Sequence, residues 1–323
     1  MMNTPKVSVI IPVYNAAKYI ERCVRSLFNQ TLDDMEYIFV DDCTPDESIS
    51  IILSILEEYT FRKDQVKIIH HKWNTGQSGA RRDGMAIASG EYIIHCDADD
   101  WVDVEMYKTM YDKAIEMSAD SVSCDVVMEY ASHTRILKYN SEYCDHKLMR
   151  DCIAPISVEY CSMCNRLVSN RIYKEHTIAP FAGVNMWDDV GLSIRVRYYC
   201  DNNAVINIPF YHYNQQNIAS TTRRPLISKI NEQIECVKQL ELFFGNEGEL
   251  YNYKRFIALL KLVAKDELLN FDAVQYKNVF QETRKYLYVL KCQCSWRQII
   301  KRYLFAYFGR LVTLFSTQVR RTL

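Results

Sequence analysis

Two hydrophobic periods alternate along the first 127 residues, and this alternation limits the fold more than any other feature of the chain. Val7-Ser-Val-Ile-Ile-Pro-Val13 is a short β-rich run. Behind it Ile20, Val24, Leu27 and Phe28 recur at the spacing of one helical face. The exchange then repeats. Glu36-Tyr-Ile-Phe-Val40 reads as a strand, and Asp46 is placed to cap a helix whose buried stripe is Ile49, Ile52, Leu53 and Leu56. Val66–Ile69 is a third strand, followed by a helix over 78–89. Glu91–His95 is a fourth, followed by a helix near 103–117 and a strand near 121–127. Strands that alternate with helices build βαβ units around a mainly parallel sheet, so the fold class is α/β. Ligands of such sheets bind beyond the carboxyl ends of the strands. The residues that follow each strand are therefore the ones to inspect.

From about 130 to 220 the alternation breaks into short apolar pieces mixed with Trp187-Asp188-Asp189 and Tyr211-His-Tyr-Asn214. From about 226 the pattern is helical and poor in glycine. There is no internal repeat and no low-complexity linker. The expected organisation is one domain over 1–220, with halves at 1–105 and 106–220, and a helical, basic region over 221–323.

The strand ends are acidic. His95-Cys-Asp97-Ala-Asp99-Asp100-Trp101 sets three carboxylates within four residues. Such a cluster repels itself unless a cation holds it or a helix end uses it. Hard divalent ions such as Mg²⁺ take one or two carboxylates together with substrate phosphates and water, which suits Asp97 and Asp99. Equally, Asp100 or Asp103 could cap the next helix. Asn74-Thr-Gly76-Gln-Ser-Gly79-Ala80-Arg81-Arg82 is a glycine-containing turn opening a helix, a form that presents backbone N–H groups and positive charge to an anion. It lacks the P-loop pattern, and no dinucleotide fingerprint follows the first strand. Asp41-Asp42 ends the second strand, where a carboxylate can accept hydrogen bonds from a nucleobase imide or a ribose, or serve an ordinary loop. His212 could reach a diphosphate or metal, but packing in a hydrogen-bonded site is the better reading. Trp187 suits either a sugar face or the core.

In order, Val7–Asn15, Val40-Asp-Asp42, Asn74-x-Gly76…Ala80-Arg81 and Asp97-Ala-Asp99-Asp100 resemble the signature of glycosyltransferase family 2. These are inverting nucleotide-sugar transferases with a GT-A fold. The resemblance covers roughly 5–220 and is most specific over 5–105. Cys164-Asn-Arg-Leu167 is similar to the family's C-N-K-L stretch. Trp187-Asp188-Asp189 stands where the family has Glu-Asp, and Tyr211-His-Tyr213 resembles its Tyr-rich segment. The resemblance implies that Pro12, Tyr14 and Asp42 surround the base of a nucleotide-sugar, with a UDP-sugar as donor, and that Arg81 helps hold the nucleotide. It implies that Asp97 and Asp99 form the Mn²⁺ or Mg²⁺ and ribose site, Asp99 being the metal ligand first, with Asp100 close by. Asp189 is then the catalytic base, and Asp188 is the alternative one residue away. The family's Ala-Arg-Asn reads Ala80-Arg81-Arg82 here, and its Asp-Asp-Gly-Ser reads Asp41-Asp42-Cys43-Thr44.

The implied acceptor is a hydroxyl of a glycan or lipid-linked glycan, in capsule, exopolysaccharide or lipopolysaccharide synthesis. Two rivals stand beside this reading. A sugar-nucleotide pyrophosphorylase would carry a Gly-rich loop where Pro12-Val-Tyr-Asn15 stands. A nucleotide-sugar-binding relative without catalysis would keep the layout and lose the carboxylate set.

Charge adds a location. The net charge of −1 argues against a nucleic-acid partner. Nine of the 39 basic residues and none of the 40 acidic ones lie in Arg284–Leu323, which leaves a net of −10 on the first 283 residues. Ile300, Leu304, Tyr307, Phe308, Leu311 and Phe315 recur at helical spacing among those charges, the pattern of a helix that either lies on an anionic membrane surface, the reading favoured by the charge, or packs its stripe on the catalytic domain. No run reaches the roughly 18 apolar residues of a spanning helix. The opening residues lead straight into a strand, as in a chain without a signal peptide. The twelve cysteines lie mostly in apolar runs and read as reduced thiols. The expectation is a cytoplasmic protein, peripheral on the inner membrane's cytoplasmic face.

Overall fold

The computed structural model of the chain describes residues 4–140, 161–217, 227–266, 268, 272–285 and 300. The basic tail beyond Lys285, apart from Ile300, lies outside the described residues, and so does the membrane-surface helix expected there. Among the described residues no helix is long and apolar enough to cross a membrane. They fall into two compact units, one through Asn217 and one from Ile227 onward.

The first unit is built on one sheet. Strands β1 (Val7–Val13), β2 (Met35–Asp41), β3 (Val66–His70) and β4 (Tyr92–His95) are its parallel half. Strands β5 (Trp101–Val102), β6 (Ser121–Glu129), β7 (Thr134–Leu137), β8 (Arg166–Ser169) and β9 (Asn203–Asn214) complete it. The order is β3-β2-β1-β4-β8-β6-β9-β5, with β7 on β6. β8 runs antiparallel to both β4 and β6, and β9 runs parallel to β6. The sheet is thus mixed and largely parallel, flanked by helices, as the α/β reading expects. β2 and β3 leave β1 on one side and β4 leaves it on the other. The ends of these strands border a topological switch point, where open α/β sheets form their crevice.

Helices α1 (Ile20–Phe28), α2 (Ser48–Glu58), α3 (Gly76–Ile87) and α4 (Met106–Met117) follow the parallel strands, and α5 (Asn170–Glu175) and α6 (Asp188–Tyr199) come later. α1 buries Ile20, Cys23, Val24, Leu27 and Phe28, the face expected from spacing. Each such side chain contributes about 1.5–3 kcal/mol of burial. Phe28 also meets Tyr37 edge-on at 5.4 Å between ring centres. On α2 the expected stripe is shifted. Ile52 and Ile55 are buried, whereas Leu53 is 48% exposed. Asp46 does not occupy the N-cap position, which is Glu47, although its carboxylate accepts from the Ser48 backbone N–H at 3.1 Å.

β9 is the largest departure from the expected pattern. Twelve residues form a strand where short pieces were expected. Pro209 lies within it, which argues against a strand. Here it falls at a register irregularity opposite Asp125 of β6, the kind of place where a sheet tolerates proline.

The second unit is helical: α7 (Ile227–Asn246), α8 (Leu250–Ala264) and the short α9 (Ala273–Asn278). Ile230, Ile234, Val237, Leu240 and Phe244 of α7 are buried, as are Tyr253, Phe256, Ile257 and Leu260 of α8. Phe244 stacks on Tyr253 with ring centres 4.1 Å apart.

Candidate active site

The strand ends are joined to one another by side-chain bonds. Beyond β1, the Ala17 N–H donates to Asp46 at 2.8 Å, and the Asn15 N–H donates to Thr44 Oγ1 at 2.8 Å. The β1 and β2 loops therefore form one wall. Pro12 is half-buried within β1, and Tyr14 projects from the wall, 52% exposed, free to stack on a planar group. Cys43, where the resemblance has glycine, adopts the left-handed conformation at φ +59°.

Asp42 is buried and acts as an acceptor. Its Oδ1 accepts from the Thr75 N–H at 2.7 Å, and its Oδ2 accepts from the Gly76 N–H at 2.8 Å. The N-terminus of α3 is thus fastened to the end of β2. Asn185, three residues before α6, accepts from the Ser78 N–H at 3.1 Å, so the chain ahead of α6 caps α3. Gly76 has φ +79°, and a β-carbon there would lie 2.2 Å from Asn185 Oδ1. Gly76→Ala should therefore lose stability by at least the left-handed penalty of about 1–2 kcal/mol. Thermal denaturation reads this as a lowered melting temperature, and an unchanged one would contradict it.

One turn further along α3, Arg81 reaches the acidic turn after β4. Its Nη2 donates to Asp97 Oδ1 at 2.6 Å and its Nη1 to Asp188 Oδ2 at 2.5 Å. The guanidinium side chain is 3% exposed. Gln77 adds a bond to Asp97 Oδ1 at 3.2 Å. The expectation that Arg81 serves the nucleotide thus meets a guanidinium already shared between two carboxylates. Asp99 is half-buried and accepts from Asn217 Nδ2 at 2.8 Å. Burial and the charge of Asp97 push the Asp99 carboxyl above its ordinary range. Asp100 is buried to 1% exposure, and each of its oxygens has a donor. It accepts from the Tyr211 hydroxyl and from the Asn214 N–H, the latter at 2.8 Å. It caps no helix and ties the acidic turn to β9.

Asp188 and Asp189 open α6 behind Trp187, whose φ of +69° is strained for a non-glycine residue. Asp188 is buried against Arg81, whereas Asp189 is half-buried and holds the Val190 N–H at 2.8 Å. Burial first, and the charge of Asp188 second, raise the Asp189 carboxyl to about 7. His212 lies in the packed setting expected of it. Its ring stacks on Trp101 with centres 5.0 Å apart, and its Nδ1 is 2.8 Å from Glu129 Oε1. The Arg22 guanidinium lies over the same Trp101 ring at 3.3 Å.

α3 therefore links two groups that the sequence names separately. Its first residues hold Asp42, and its next turn holds Asp97 and, through Arg81, the Asp188–Asp189 pair. Sequence reasoning did not single out Gln77, Asn185, Asn217 or Arg22. No motif marks them, and their partners lie far away in sequence or face a single ring. Among the described residues no donor reaches Asp97 Oδ2, and burial first and the charge of Asp97 second raise the Asp99 carboxyl. That donor set fits a hard divalent ion that also takes phosphate and water. Among the described residues no three ligating groups converge to form a metal cage from protein alone.

A family model described as Glycosyl transferase family 2 matches residues 8–177. The chain is 41% identical over 120 residues to the uncharacterized glycosyltransferase EpsJ of Bacillus subtilis (strain 168), which covers 37% of this chain and 33% of that protein. The chain thus spans about a third of that relative's length. Among solved structures, S. aureus TarS 1–349 in complex with UDP matches with a TM-score of 0.64 at 15% identity, over 95% of this chain and 91% of that one. The mannosyltransferase PcManGT of Pyrobaculum calidifontis, in complex with GDP-Man and Mn²⁺, matches with a TM-score of 0.54 at 14% identity, over 95% and 88%. The shared fold is the GT-A arrangement.

Proposed function

The chain belongs to glycosyl transferase family 2, and on that premise we propose that it transfers a sugar from a UDP-sugar to a hydroxyl of a glycan or lipid-linked glycan, with inversion at the anomeric carbon. The observation that carries this reading is the Arg81 bridge, which sets the acidic turn after β4 beside the paired carboxylates of α6. Asp42 offers an acceptor to the base and Tyr14 a stacking face. Asp97 and Asp99 would hold Mn²⁺ or Mg²⁺. The bound ion supplies positive charge where the leaving diphosphate gains negative charge. Asp189 takes the proton of the attacking hydroxyl. Its half-exposed position suits this role better than that of Asp188, one of whose oxygens is given to Arg81. The UDP complex of TarS and the Mn²⁺ complex of the mannosyltransferase, which share this fold, support the donor and metal parts. The enzyme works at the cytoplasmic face of the membrane, with the basic C-terminal segment on anionic lipid, in the building of surface polysaccharide.

Calorimetric titration of UDP into the protein, with Mn²⁺ and again with EDTA, tests the donor site. Wild type should bind UDP more tightly with Mn²⁺. Asp99→Ala should lose that metal-dependent gain while keeping its melting temperature, because Asp99 is half-exposed and makes one side-chain bond. Equal binding with and without metal removes Asp97 and Asp99 from the metal role. No UDP binding at all removes the uridine donor.

A further inference from the structure

We propose that His71, one residue beyond β3, is a positioning residue that fixes the Asp42 carboxylate to read a nucleobase carrying an imide N–H. This rests on the reading of Asp42 as the contact to the donor base. His71 Nδ1 lies 2.8 Å from Asp42 Oδ1. A carboxylate only accepts, so the proton of this bond sits on Nδ1. The opposite edge of the ring faces Asp83 of α3, with Nε2 at 3.1 Å from Asp83 Oδ2, an ion-pair distance without hydrogen-bond alignment. The imidazole side chain is 8% exposed and sits between two carboxylates from different elements. Thr75 Oγ1 also donates to Asp42 Oδ1 at 2.8 Å and stands 3.1 Å from His71 Nδ1.

The consequence is a division of labour between the two Asp42 oxygens. Oδ1 is crowded by His71 Nδ1 and by the Thr75 N–H and hydroxyl, while Oδ2 receives the Gly76 N–H. A carboxylate oxygen offers about two lone-pair positions. The open acceptor position is therefore on Oδ2, and the bonds to Oδ1 fix the plane in which it lies. An acceptor held in one plane favours the imide N3–H of uracil. It disfavours cytosine, whose N3 is itself an acceptor. Without His71 the carboxylate loses the donor that does not come from the Thr75–Gly76 turn and can rotate about its Cβ–Cγ bond.

UDP and CDP titrated separately into wild type, His71→Ala, His71→Asn and Asp83→Asn test this, with melting temperatures as the control for folding. Wild type should prefer UDP. His71→Ala should bind UDP about ten- to a hundredfold more weakly, the scale of one hydrogen bond to a charged group, and CDP with little change. His71→Asn, whose amide can still donate to Asp42, should recover much of the UDP preference. Asp83→Asn, at a side chain 46% exposed, should narrow the preference less and leave the fold intact. A general loosening of structure would weaken both nucleotides alike, and that result overturns the proposal. So does a His71→Ala protein with wild-type affinity and preference. If His71→Ala melts before it can be titrated, an Asp83→Asn protein with unchanged preference overturns it instead. A wild type that binds neither nucleotide overturns the donor reading itself, and this inference with it.

Discussion

Asp189→Asn should reduce turnover by about 10²–10⁴-fold, the usual contribution of a positioned general base, while UDP binding stays near wild type. The substitution keeps the side chain's shape and the bond that Asp189 Oδ1 accepts from the Val190 N–H. It removes only the ability to take a proton. The pH profile separates this from a structural effect. The Asp189 carboxyl is raised to about 7, by burial first and by the charge of Asp188 second. Below that value the wild-type group already carries its proton and is too weak a base to take another. Above it the group is ionised and competent. Wild-type kcat/KM should therefore climb with pH through about 7 and level off above, and in Asp189→Asn this limb should vanish. The Arg81 charge opposes the rise, so Arg81→Lys, which keeps a charge but at a different point, should move the limb. An Asp189→Asn enzyme with near-wild-type turnover would remove Asp189 from the role. If Asp188→Asn were inactive instead, the base would be its neighbour.

The fold was legible where neighbouring residues determine the local outcome. β1, β2 and β4 are dense apolar runs, and the acidic residues directly beyond them mark the crevice, so the run from Val7 to Asp100 could be placed on its strand ends. The stripe of α2 was misjudged because Ile51-Ile52-Leu53 and Ile55-Leu56 are apolar around most of the helix. Only the packing partner decides that Ile55 faces inward and Leu53 outward. β9 was hidden by Pro209, which local rules count against a strand until the irregularity opposite Asp125 is known. The site divides the same way. The residue types of Asp97, Asp99 and Asp42 announce acceptor chemistry. The contacts around them do not, because the Asn217 that donates to Asp99 lies 118 residues away and the Asp188 that accepts from Arg81 lies 107 from it. Hydrophobic periodicity carries no information at such separations, so the sequence could nominate Arg81 as a positive charge but could not say where that charge is spent.

Arg81→Met should be the most damaging single change to stability in this site. Its guanidinium holds two carboxylates, Asp97 and buried Asp188, and both would be left without their cation. Removing one partner of a buried ion pair costs about 3–5 kcal/mol, because the remaining charge has already given up its water. For a chain with the usual margin of about 5–15 kcal/mol, that is a large share, and denaturant unfolding should show it as a lowered midpoint. Catalysis should fail in parallel, since Asp97 and the start of α6 lose the group that fixes them to α3. Arg81→Lys should recover part of the stability. A single ammonium can serve one carboxylate well but not both in the fork geometry seen here. The double variant Arg81→Met with Asp188→Asn should be less destabilised than the sum of its single changes, because it removes the stranded charge along with its partner. Strict additivity would mean that the two side chains do not share their stabilisation. A wild-type midpoint for Arg81→Met would mean that the bridge does not hold the two halves of the site together. The fastening of the acidic turn to α6 would then rest on Asn185 and the chain ahead of that helix, whose bonds to the Ser78 N–H and hydroxyl also connect α3 to that segment.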